Sequence, residues 1–461
     1  MNSRRTTFSA SAPLRAIAIT ALCLWMAGCL GKEERDEEDT ASTAGDATSD
    51  ASTGSGDAAD TTTGDTGGSD AGGGLAAVYE PVCGNGKPAC PSGTFCTSGV
   101  CAPESGTDDK TALRDPTKDN TATTEAINLD CVGVGIDEVL KDLPKDKKVV
   151  MWGRVDRFGG GGITTNIEVA VFEASKFHPE ACAGIEDPED AQACFRDDSK
   201  VGTPLAKTTS IAPEKATEAG LDVKAKFAAE QECNKGVHLE CPAGFVCDKV
   251  DGFPKCVANH GLYAIENVPA NTPLVVRTRA LNPNDPNGWH DSYTFGVVLL
   301  TTHLDAKGEG NQPTKYKDQD TYRMNPTIVG EGQWQLVPST IGVVGGIYEG
   351  DGVIGGRIRD CGTSSRRSWP IVDARVGFGH PPEGLSYFND NELDPVPSKN
   401  RVTTNIIGRY AAVGVPPGPN RVAVTGRIGG KTEVLGTGDV FVIPNSLVIV
   451  SLPGLVPYNN K

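Results

Sequence analysis

Gly408-Arg409-Tyr410-Ala411-Ala412-Val413-Gly414-Val415-Pro416-Pro417-Gly418, followed by Arg421-Val422-Ala423-Val424, is the stretch on which the reading of the fold turns. Its β-branched and aromatic residues suit a pleated, half-buried strand. Val-Pro with Gly then closes that strand in a turn before the chain returns. The same order of features occurs earlier, as Gly261-Leu262-Tyr263-Ala264-Ile265-Glu266-Asn267-Val268-Pro269 and then Leu274-Val275-Val276. Upstream of each lies a Gly-Arg strand, Gly153-Arg154-Val155 and Gly356-Arg357-Ile358, followed by an alternating apolar strand.

Working outward, short runs rich in β-branched residues recur at 148–155, 167–172, 261–268, 274–281, 293–302 and 334–337. A second series follows at 353–358, 371–378, 401–407, 408–415, 421–426, 439–443 and 447–452. Gly (56) and Pro (31) both exceed average use, and no long run carries a helical period. This predicts a mainly β chain with two antiparallel Ig-like sandwiches, at 130–305 and 346–461, joined by connecting strands at 306–345. The paired order of motifs resembles the carboxypeptidase regulatory-like family, whose domains are transthyretin-like seven-stranded sandwiches. It is closer in the second copy than in the first, which carries insertions at 182–229 and 231–257. The resemblance implies accessory, spacer or carbohydrate-binding units rather than catalysts, and fold alone does not fix function.

Fourteen cysteines are present. Cys83, Cys90, Cys96 and Cys101 form a small module at 81–104, and Cys233, Cys241, Cys247 and Cys256 form a second within 231–257. Both contain Cys-Pro-x-Gly-x-x-Cys, so they read as an internal repeat. Segments this short need staples, and two disulfides each supply them, first-to-third with second-to-fourth being one of three pairings. No Cys-x2-Cys pair or partnered His accompanies either module, which argues against zinc. Such modules resemble the small cysteine-rich repeats of myxobacterial surface proteins, which implies a structural or adhesive role. Cys182 and Cys194 are read as a further staple. Cys131 and Cys361 are left over, as a pair or as buried thiols.

Cys23 and Cys29 belong to the N-terminus. Residues 1–15 carry Arg4, Arg5 and Arg15 and no acid, and an apolar run follows from 16 to 28, broken only by Thr20. That run is too short for a hydrocarbon core of about 30 Å and fits a secretory signal peptide. Its end, Met26-Ala27-Gly28-Cys29, resembles the bacterial lipobox, which implies cleavage after 28 and lipid on Cys29. Leu30, where Asp would imply inner-membrane retention, favours an outer-membrane or cell-surface destination. Residues 29–80 form an acidic tether of Asp, Ser, Thr, Gly and Ala, too poor in apolar residues to repay ordering. The net charge of −17 divides into +3 for residues 1–30, −11 for 31–80 and −9 for 81–461. With no basic stripe, nucleic acid is excluded as a partner. The lipid-held membrane and a glycan or protein ligand remain.

The search for chemistry finds little. His178, His238, His260, His290, His303 and His380 form no zinc pattern, although His290 and His303 flank a strand pair and can face one another. No nucleophile elbow occurs. Residues 426–432 (Gly-Arg-Ile-Gly-Gly-Lys-Thr) resemble a phosphate loop, but with the first Gly one position too close and in a hairpin setting without a helix. Asn282, Asp285 and Asn287 offer oxygens for calcium, and turn chemistry explains the same composition without a metal. Trp289, Trp334 and Trp369 are sugar-stacking platforms if exposed and core aromatics if not. The expectation is a non-enzymatic lipoprotein without cofactor or metal. The alternatives are a carbohydrate- or peptidoglycan-binding adhesin module and, behind it, a hydrolase assembled from distant residues.

Overall fold

A computed structural model describes residues 79–452, apart from 116–122, 124, 135, 159–163, 213–214, 216–244, 251–252, 259–260, 283–284, 302–314, 317–318, 364–367 and 391–395; for 245–258 and 315–316 it describes the backbone only. The signal peptide, the tether up to residue 78, Cys23, Cys29, Cys233, Cys241, His238, His260 and His303 lie outside the described residues.

The described chain is mainly β, with several sheets and a disulfide-rich region. The first half supplies β1 (Lys148–Arg154), β2 (Ile167–Glu173), β3 (Leu262–Pro269), β4 (Pro273–Ala280), β5 (Ser292–Val298) and β6 (Gln319–Arg323). The second supplies β7 (Gly352–Arg357), β8 (Ala374–Phe378), β9 (Gly384–Phe388), β10 (Arg409–Val415), β11 (Gly418–Ile428), β12 (Lys431–Val442) and β13 (Leu447–Ile449). Two helices matter below, α1 (Pro188–Arg196) and α2 (Glu331–Ile341).

Nine strands make one sheet that runs through both halves, in the order Pro397–Ser398, β9, β10, β7, β13, β5, β4, β2, Ala206–Thr209. The seam is β13, which pairs parallel with β7 on one side and with β5 on the other. Alternation of side chains gives this sheet two apolar faces. One face, with Val169, Val171, Leu274, Val276 and Val297, packs under the sheet of β3, β1 and β6. The other face, with Tyr293, Ile354, Tyr410, Ala412 and Val448, packs against the sheet of β8, β11 and β12. The flanking sheets therefore cover opposite faces of the shared one.

The paired motifs do the same work in both halves. Gly153 stands opposite Tyr263 and Gly356 opposite Tyr410 in antiparallel register. The Tyr263 hydroxyl donates to Met324 O (2.7 Å), and the Tyr410 hydroxyl donates to Val450 O (3.1 Å). A Cβ on Gly153 would meet Met324 O at 2.0 Å, and one on Gly356 would meet Val450 O at 1.8 Å. Glycine is thus required because a carbonyl from a parallel strand crosses directly over it. Before each Val-Pro stands a left-handed residue, Asn267 (φ 61°) or Gly414 (φ 64°), where the strand register slips.

A hydroxyl clasp is repeated as well. Ser210 Oγ accepts from Ile167 N (2.9 Å) and donates to Thr164 O (2.6 Å). Thr404 Oγ1 accepts from Ala374 N (2.9 Å) and donates to Ile371 O (2.8 Å). Each starts the strand that follows the Gly-Arg strand, just after a left-handed Asn166 or Asp373. Because both hydroxyls are buried and use both capacities, Ser210→Ala and Thr404→Ala are each expected to cost about 1–3 kcal/mol. Chemical denaturation checks this, and losses below about 0.5 kcal/mol in both variants would contradict it.

Three expectations are corrected. Residues 334–337 lie in helix α2, not a strand: Trp334, Val337 and Pro338 are buried together, and Gly342 (φ 85°) ends the helix in the left-handed conformation. Residues 401–407 form no strand, because Asn405 Oδ1 accepts from Ile407 N and Arg409 N and holds a turn there. Within 306–345, β6 is not a connector. It pairs parallel with β1 as β13 pairs with β7.

Candidate functional site

The densest polar cluster lies on the nine-stranded sheet beneath the segment stapled by Cys182–Cys194. Glu168 on β2, with Arg277 and Arg279 on β4, points to the face that also carries Ala170, Phe172 and Val275. Arg277 is fully buried; its Nη2 reaches Glu168 Oε1 (3.0 Å) and Asp198 Oδ1 (2.8 Å), and its guanidinium lies 5.0 Å over the Phe172 ring. Arg279 Nε meets Glu168 Oε1 at 2.7 Å, and Lys207 meets Asp198 at 3.1 Å. At the end of α1, Arg196 holds the buried Asp291 through two bonds of 2.8 and 2.9 Å. Burial pushes the Asp198 carboxyl up, and the bonds and charges of Arg277 and Lys207 more than offset this, leaving its pKa below the ordinary value.

Each carboxylate of this network is met by a guanidinium group, Glu168 and Asp198 by Arg277 and Asp291 by Arg196. What the network does is fix helix α1 and the Asp198 turn on the sheet, with Cys182–Cys194 closing the same segment covalently.

A second cluster surrounds His290. Its Nε2 lies 2.7 Å from Glu331 Oε2 and its Nδ1 3.2 Å from Asn445 O. The ring stacks on Trp334 with centroids 4.2 Å apart and planes 11° from parallel. Both nitrogens face acceptors, and neither faces a hydroxyl or thiol that it could activate. Beside it, Phe158, Val329, Trp334, Val337, Val353 and Leu447 enclose an apolar space of about 10 Å³. That is room for about one water.

The other residues singled out in the sequence are spread over the fold. Cys83 bonds Cys96, Cys90 bonds Cys101, and Cys131 bonds Cys361. The triad of Cys83, Cys90 and Cys101 sulfurs is close enough to suggest a metal cage, but all three are in disulfides. In the second module the hairpin of Phe245–Val250 and Phe253–Ala258 places Cys247 opposite Cys256, as Cys96 stands opposite Cys101. Trp289 and Trp334 are 8% and 9% exposed and serve the core, so neither offers a stacking face. Trp369 is half-buried against the core. Asp285 Oδ1 is taken up by Asn287 N and Nδ2, both 2.9 Å away, which is turn chemistry. Residues 429–430 turn the β11–β12 hairpin with two left-handed glycines, so the phosphate-loop likeness ends there.

The cysteine module is docked on the second half. Tyr79 sits over Gly379, where a Cβ would meet its ring at 2.2 Å. Arg421 lies 5.2 Å over that ring and donates to Ser98 O (2.9 Å), while Thr425 Oγ1 donates to Pro103 O (2.7 Å). Val100 and Ala102 complete a small core with Ala423.

Sequence reasoning missed the buried charge network. The signal was there: Arg277 and Arg279 alternate inside an apolar strand, and Glu168 interrupts the next, so that charged residues share the inward period. Scans against protein-family models, curated proteins and solved structures find no significant match.

Proposed function

We propose that this chain is a non-enzymatic, extracytoplasmic lipoprotein, cleaved before Cys29 and held by lipid on an outer membrane or cell surface. Each half is read as a transthyretin-like sandwich of the carboxypeptidase regulatory-like kind, displayed for a structural or binding role. The observation that carries the reading is the N-terminal pattern: basic residues, a short apolar run and Met26-Ala27-Gly28-Cys29. Four disulfides among the described residues agree with an oxidising compartment. None of the described helices is long and apolar enough to cross a membrane. The non-catalytic role is supported by the His290 and Arg277 clusters, whose reactive groups are already engaged by one another.

The test is metabolic labelling with palmitate in a bacterial host, followed by membrane fractionation. The native chain is expected to carry label and to sediment with membranes. Cys29→Ala is expected to lose both. Label and fractionation unaltered by the substitution would sink the proposal.

A further inference from the structure

The first described residues do not pack on the half that follows them in sequence. The described residues from Tyr79 to Cys131 run over the second half. The module docks at Gly379, Arg421 and Thr425; Asp109 then meets Arg375 (2.8 Å), and Thr111 Oγ1 donates to Asp373 O (2.7 Å). Ala112–Leu113 pairs with Ile371–Val372, and Asn128 Nδ2 donates to Gly362 O. The path ends in Cys131–Cys361, a bond between residues 230 apart. Everything from 132 to 360, including β1 to β7, is a loop closed by that bond.

We propose that Cys131–Cys361 is a mechanical bypass: tension entering at the N-terminus passes from residue 131 directly to 361, and the first half stays outside the load path. The covalent route is the shorter one, so a pull taken between the N-terminus and the second half cannot lengthen the enclosed loop. The docked module and the Ala112–Leu113 pairing stand in front of the bond as elements that must peel first. A surface protein held at one end is pulled on by flow and by whatever it grips. This arrangement keeps the first half and β7 out of the covalent load path, while the chain from residue 361 onward bears the load. The source of the tension rests on the proposed lipid anchor; the route it takes does not.

The experiment is force spectroscopy on the mature chain with handles at its two ends. The oxidised chain is compared with Cys131→Ser/Cys361→Ser and with native chain reduced after folding. Opening the bond adds about 230 residues to the extensible path, an increase on the order of 80 nm at about 3.5 Å per residue. Reduction of already folded molecules gives the result even if the double variant folds poorly. Cys182→Ser/Cys194→Ser is the internal control. Those cysteines lie inside the enclosed loop, so their removal is expected to leave the released length of the oxidised chain unchanged. Equal lengths for oxidised and reduced chains would overturn the bypass, as would a lengthening of about 4 nm in the control. Loss of palmitate labelling with the length change intact would remove the anchor and leave the bypass standing.

Discussion

Gly356→Ala is expected to destabilise the chain by about 3 kcal/mol or more. The added carbon would lie 1.8 Å from Val450 O and 2.9 Å from the Tyr410 hydroxyl. Neither neighbour is free to give way. Val450 O accepts the Tyr410 hydroxyl, and Val450 N is bonded to Gly355 O (3.0 Å). Relief requires separating β13 from β7, and β13 is the strand that joins the two halves of the nine-stranded sheet. Gly153→Ala repeats the experiment in the first half, where the clash is with Met324 O and relief separates β6 from β1. Tyr410→Phe and Tyr263→Phe remove only the hydroxyl and leave a buried carbonyl unpaired, so about 1–3 kcal/mol is expected. Urea unfolding of the four variants measures the order. Tolerance of both alanines within about 0.5 kcal/mol would refute the close approach on which the repeat rests.

Arg277→Met is expected to cost about 3–5 kcal/mol, because it removes the fully buried cation that lies between Glu168 and Asp198. Glu168 is buried under the disulfide-stapled segment and keeps Arg279 at 2.7 Å and Lys207, itself about half exposed, at 3.8 Å; among the described residues Asp198 keeps Lys207 alone. The loss should come from stranded charge rather than lost volume, since methionine fills most of the same space over Phe172. Adding Glu168→Gln and Asp198→Asn to Arg277→Met is therefore expected to restore a large part of the stability. Thermal and denaturant unfolding of the single and triple variants test this. A triple variant less stable than Arg277→Met alone would show that the network contributes net stability as ion pairs.

The repeat was legible because glycine, tyrosine and the Val-Pro turn are each demanded by backbone geometry. A carbonyl over Gly153 or Gly356, and a left-handed residue before Val-Pro, admit few alternatives. The helix at 331–341 was not legible: eleven residues with Pro338 inside give a weak helical period, and burial of Trp334 against His290 decides the outcome. Nor was the shared sheet. Leu447-Val448-Ile449 reads as a strand whichever neighbour it takes, and only the fold shows Ser292–Thr294 on one side and Val353–Gly355 on the other. The docking of the cysteine module left traces only as small residues, Gly377 on β8, Gly379 just beyond it and Ala423 on β11; side chains at the two glycines would strike the module. Disulfide pairing between residues as distant as 131 and 361 has no local signature at all.

Of the whole account, the proposed lipid on Cys29 bears most on what the molecule is for, since it would make the folded halves cargo on a tether. Mass spectrometry of the N-terminal peptide, taken from membranes of a producing bacterium, tests it most directly. The account predicts a peptide beginning at Cys29 and carrying the mass of a diacylglyceryl group. A peptide that begins elsewhere, or at Cys29 without added mass, would contradict it.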